Sequence, residues 1–97
     1  MDLDRIREME GYLNSVTEAT AGLSGALDRM ESLLDDMDRL FDYYGSSEWF
    51  DDREGELPEG VAAGVLSEDL AYDEFLEIRD ASFRMLELAT EILKNRL

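Results

Sequence analysis

From Ile6 the apolar residues Ile6, Met9, Leu13, Val16, Leu23, Leu27, Met30, Leu34, Met37, Phe41 and Tyr44 follow one another at alternating steps of three and four, with Thr20 as the one polar member. This is a heptad a/d seam held in phase from end to end, a period that helices produce and strands do not. It predicts one helix over about residues 3–44, roughly 60 Å long at 1.5 Å per residue. Asp2 and Asp4 complement the positive helix start, and Gly45 after Tyr43 and Tyr44 is a natural left-handed stop. Gly22 and Gly25 each cost about 1 kcal/mol relative to Ala inside a helix. They lie off the seam, however, and the apolar phase passes through them unshifted, so an unbroken or gently kinked helix is expected. The segment Ala19 to Ala26 forms a waist of small side chains, suited to close packing or to docking of another helix. Ala19, Ala26, Leu33 and Leu40 widen the stripe at the g positions, which suggests more than one helical neighbour. Asp28, Asp35, Asp36, Arg39 and Asp42 fall on the opposite face as a solvated charged surface.

From residue 45 to 66 the helical period lapses into a structured connection. Ser46 or Ser47 can cap a short helix holding Glu48 to Arg53, Gly55 can end it, and Leu57-Pro58-Glu59-Gly60 has turn chemistry. Trp49, the only tryptophan, stands with Phe50, Leu57, Val61, Val65 and Leu66 as enough apolar surface to cover a bundle end. Trp49 is therefore expected to be buried. The competing expectation is an exposed recognition patch formed by Trp49, Asp52 and Glu54. A second helix opens at Ser67-Glu68-Asp69, where a serine cap and two carboxylates suit a helix start, and it runs to about residue 97 with Arg84, Lys94 and Arg96 towards its end. Leu76, Phe83, Leu86, Leu93 and Leu97 form one apolar line on it, and Phe75, Ile78, Met85, Ala89 and Ile92 an adjacent one. At roughly 45 Å it is shorter than the first helix. The expected fold is a single all-α domain over residues 1–97, a long helical hairpin with a structured connection, paired as a homodimer into a four-helix assembly.

At the connection the sequence resembles a family of small bacterial proteins known as domain of unknown function 4298. The resemblance rests on Tyr43-Tyr44-Gly45-Ser46, Trp49, Asp52, Glu54, Leu57-Pro58 and Gly64-Val65-Leu66-Ser67-Glu68-Asp69, with an opening of similar type at Arg5-Ile6 and Met9-Glu10. It implies a family identity and no activity. Val61-Ala62-Ala63 stand where family members often carry Lys or Arg, so an anion-binding role is not expected there. Tyr43, Tyr44, Ser46, Trp49, Asp52, Glu54, Ser67, Glu68 and Asp69 are the candidate interaction or motif surface.

Composition narrows the chemistry. The 97 residues include 25 acids against 9 bases, for a formal net charge of -16, and no His or Cys. That charge argues against nucleic acid and anionic membranes as partners. The missing His and Cys remove disulfides, thiol nucleophiles, His-dependent triads and ordinary zinc sites. No cofactor is expected. Carboxylates alone leave hard-cation binding or metal-assisted hydrolysis of the kind all-helical nucleotide pyrophosphatases perform, for which Glu68, Asp69, Asp73, Glu74 and Glu77 are superficially suited. Their spacing is no recognised ligand motif and is equally a solvated stripe, so neither catalytic nor metal residues are assigned. Residues 45–66 hold six acids and one base, the densest acidic segment, which admits an acidic mimic that binds a basic, nucleic-acid-binding protein. The acidic start lacks the pattern of a signal peptide and the longest uncharged runs are too short to cross a bilayer, so a cytoplasmic location is the default. The leading expectation is a non-catalytic module acting through protein contacts, most simply with itself.

Overall fold

A computed structural model describes residues 1–97. The chain is all-α: α1 spans Leu3–Ser32, α2 Leu34–Tyr43, α3 Ser47–Glu54 and α4 Glu68–Asn95, with a 3-10 turn at Gly64–Leu66 and no strand. It divides into two compact units, Met1–Phe41 and Asp42–Leu97.

In the first unit Asp2 caps α1, its carboxylate accepting from the Arg5 N–H at 3.0 Å. The helix runs through Gly22 and Gly25 without interruption, as the unshifted phase predicts. A Cβ at either glycine would meet nothing within 4 Å, so the small-residue waist is not packed against anything. The expected continuous helix to residue 44 is corrected at a different place. Leu33 leaves helical geometry, with φ -99° and ψ 2°, and separates α1 from α2. The break coincides with a local exchange of hydrogen bonds. In an unbroken helix the Leu33 N–H would bond the Arg29 carbonyl; here the Ser32 hydroxyl donates to that carbonyl at 2.7 Å, and the Leu33 N–H turns to Met30 O at 3.1 Å. The ladder resumes as the Met37 N–H bonds Leu33 O at 2.8 Å.

No residue of α1 or α2 is buried. Along the seam of α1, Ile6 remains 46% exposed, Leu13 58%, Val16 63% and Leu23 48%. The stripe that the heptad pattern lays down is thus open from one end of α1 to the other.

The second unit takes in the last two residues of α2. Gly45 takes a left-handed φ of 79°, as the stop signal requires, and Ser46 caps α3 by accepting from the Trp49 N–H at 3.2 Å. Gly55 ends α3, its N–H bonding Asp52 O, and Gly60 turns the chain with φ 84°. Ser67 caps α4, accepting from the Leu70 N–H at 3.4 Å. The buried core is small, comprising Trp49 and Ala71. Phe75, Leu76 and Ile78 in the first half of α4 are half-buried, whereas Phe83, Leu86 and Leu93 farther along are exposed. The expected plug is smaller than its apolar composition suggests: Trp49 is buried and Leu66 half-buried, but Phe50, Leu57, Val61 and Val65 are exposed. As neighbours on a helix, Phe50 and Trp49 point some 100° apart, and only one can face inward.

Candidate functional site

The motif residues converge on the two short elements between α2 and α4. The 3-10 turn packs on both α3 and α4. Trp49, four residues after Gly45, enters this junction and is 3% exposed. Its indole N–H donates to the Val65 carbonyl at 2.9 Å, so the one polar atom of a buried ring is satisfied by the turn itself. Tyr44 stands edge-on to Trp49 at 4.9 Å and to Phe75 at 5.1 Å, while its hydroxyl donates to the Glu68 carbonyl at 2.7 Å. One tyrosine therefore touches α3 through its ring and the first residue of α4 through its oxygen. Arg53, the only base in the connection, lies 4.7 Å over the Trp49 ring. A cation over an indole face is attractive, and it gives this arginine a partner other than the surrounding acids.

Tyr43 donates its hydroxyl to the Asp52 carboxylate of α3. That bond, with burial and the charges of Asp52 and Glu48 adding to it, pushes the Tyr43 phenol up to about 12. Ionising the phenol would both break the bond and set two anions together. Beside this pair lies a shallow groove of about 320 Å³, floored by Leu57, Val61, Val65 and Leu66 and flanked by Asp51 and Glu56. It offers apolar contact and negative charge. No group of three or more acidic residues in the chain is placed to hold a metal ion.

Of the nine residues singled out from sequence, Tyr43, Tyr44, Ser46, Trp49, Asp52, Ser67 and Glu68 meet in this junction, each bonded within it. For Glu68 the bonded atom is the backbone carbonyl. Glu54 at the end of α3 and Asp69 in the first turn of α4 are exposed. Sequence reasoning missed the roles of Arg53 and of the Val65 carbonyl. The first was visible as an i, i+4 spacing from Trp49 on a helix; a backbone acceptor leaves no sequence signal at all.

A family model described as domain of unknown function DUF4298 matches residues 6–88. The chain belongs to this family. No curated protein and no solved structure matches it. The geometry gives a physical reading of the DUF4298-like motif in this chain. The Tyr-Tyr-Gly-Ser run ends α2, turns at Gly45, caps α3 and supplies both phenols, and the Gly-Val-Leu-Ser-Glu-Asp run forms the 3-10 turn, offers Val65 O to the indole and caps α4. Val61, Ala62 and Ala63 line the acidic groove and bring it no positive charge. No helix is long and apolar enough to cross a membrane.

Proposed function

We propose that this chain is a non-catalytic protein–protein interaction module whose contact surface is the apolar stripe of α1. One observation carries the reading. Thirty residues of regular helix hold their a/d seam in phase while none of them is buried. Water-exposed apolar surface of this extent is rare on monomeric proteins and marks a contact surface. A helix whose stability must come from packing has the same need, since propensity alone leaves isolated helices marginal. The junction between α2 and α4 then serves as a rigid structural element, and its hydrogen bonds account for the motif without a ligand.

The test is co-purification from the native host of the parent chain and two variants. Leu13→Asp with Leu23→Asp places charges in the stripe, and Asp51→Asn with Glu56→Gln neutralises the rim of the groove. The stripe variant loses every specific companion, including further copies of the chain, and the groove variant keeps them. The opposite result, loss of a basic companion only in the groove variant, would replace this reading with the acidic mimic. The densest acidic segment of the chain and the apolar floor beneath it support that second reading.

A further inference from the structure

We propose that the occupant of the α1 stripe is the α1 helix of a second copy of this chain, lying parallel and in register, an inference that rests on the stripe being the contact surface. The a positions are Ile6, Leu13, Thr20 and Leu27, and the d positions Met9, Val16, Leu23 and Met30. The residues that flank such a seam decide orientation, because their charges meet across it. On one flank, at g, stand Arg5, Tyr12, Ala19 and Ala26; on the other, at e, stand Glu10, Thr17, Ser24 and Glu31. In a parallel pair each g position meets the following e position of the other helix. Arg5 of each copy then meets Glu10 of the other, twice by symmetry. In an antiparallel pair e meets e and g meets g, and full overlap of the two helices sets Glu10 nearest Ser24 and Arg5 nearest Ala26 and Leu33, so neither charge meets an opposite one. Charge complementarity selects the parallel arrangement.

Three further observations agree with it. Arg5 and Glu10 form no ion pair or side-chain hydrogen bond within their own chain, so both are open to a partner. They stand on either side of an open depression completed by Ile6, Met9 and Leu13, a hole of the kind that receives an apolar knob from a facing helix. Thr20, the polar member of the seam, donates its hydroxyl to the Val16 carbonyl at 2.8 Å, so it needs no partner across the contact and meets its own symmetry mate without an orphaned donor. Tyr12 on the flank is likewise satisfied by Glu8 at 2.7 Å. The size is adequate. The six most regular seam residues, roughly half exposed, present roughly 600 Å² of apolar surface per copy, close to the roughly 800 Å² per partner of a stable interface once flanking atoms are added.

The chain has no cysteine, so a single introduced thiol reports orientation without background. Ile6→Cys is incubated with a mixture of reduced and oxidised glutathione, the latter as oxidant, and separately the Ile6→Cys and Met30→Cys chains are mixed. A parallel, in-register pair is trapped nearly completely as a disulfide joining position 6 of one copy to position 6 of the other, and no product links position 6 to position 30. Trapping only between positions 6 and 30 overturns the parallel arrangement while leaving the stripe as contact surface. If neither forms and the parent sediments as a monomer, the second copy is the wrong occupant, and the co-purification experiment decides separately whether the stripe is a contact surface. The charge pair gives an independent check: Arg5→Glu weakens self-association several-fold, and adding Glu10→Arg restores it. If the double variant is as weak as the single one with helicity intact, the Arg5 to Glu10 pairing is wrong.

Discussion

Replacing Trp49 by Ala removes the largest buried group in the chain, and the structure allows its cost to be worked out. The side chain is 3% exposed, so nearly all of its roughly 200 Å² leaves water on folding. At about 25 cal/mol per Å² that is about 5 kcal/mol, from which the retained Cβ and some relaxation subtract about 1. The indole bond to Val65 O adds about 1 kcal/mol, although the carbonyl regains water if the junction opens. A loss of about 3–5 kcal/mol is expected, in line with other core aromatic truncations. In a unit whose only other buried residue is Ala71, that is enough to open the junction. Because Trp49 is the only tryptophan, parent fluorescence reports the junction alone, while circular dichroism at 222 nm reports all helices. The parent should show a blue-shifted emission that moves to the red in one transition. Trp49→Ala should lose amide protection in Tyr44–Leu76 and show a lower, broader melt, while Trp49→Phe should lie between. A parent emission typical of a solvent-exposed indole, together with an unchanged melt for Trp49→Ala, would refute the reasoning and make residues 46–57 the leading functional surface.

The Tyr43 phenol, raised to about 12 by Asp52, binds its proton more tightly folded than unfolded, so the stability it contributes is complete below pH 10 and is lost as pH climbs from 10 to 12. Absorbance titration near 295 nm should show a late phenolate step that either Tyr43→Phe or Asp52→Asn abolishes. Tyr12 is also raised, by its bond to Glu8, so Tyr12→Phe provides the control for a second late group. Gly22→Ala and Gly25→Ala each place a methyl in open space on a helical backbone and should stabilise α1 by about 0.5–1 kcal/mol, seen as a higher melting temperature. Destabilisation by either would mean that the waist is closely packed in the associated protein. Gly45→Ala, by contrast, forces a side chain to φ 79° and should cost about 1–2 kcal/mol by the same measurement.

Much of the architecture was legible because it rests on short-range chemistry. Ser46, Gly55 and Ser67 end or begin helices where cap preferences place them, and Gly45 turns because only glycine adopts its φ freely. The heptad phase carried α1 correctly through two glycines. It could not show the break at Leu33, whose N–H bonds Met30 O in place of the Arg29 carbonyl, since a backbone rotation at one residue leaves no trace in hydrophobic periodicity. The plug was overestimated for a related reason. Apolar composition counts Phe50 and Val61 with Trp49, but a two-turn helix turns only one of its aromatic neighbours inward. At the junction, the residue types of the motif were visible and their partners were not, because the tethers from Trp49 and Tyr44 end on backbone carbonyls, at Val65 and Glu68.

The central claim, that the apolar stripe of α1 pairs two copies of the chain, is most directly tested by sedimentation equilibrium of the parent and of Leu13→Asp with Leu23→Asp at tens of micromolar, with helicity checked on both. The parent should sediment as a dimer. The variant should be a monomer with the same junction fluorescence, its association weakened more than roughly a hundredfold because each carboxylate buried without a partner costs several kcal/mol. A parent that is monomeric throughout this range, or a variant that dimerises as tightly as the parent, would contradict the account.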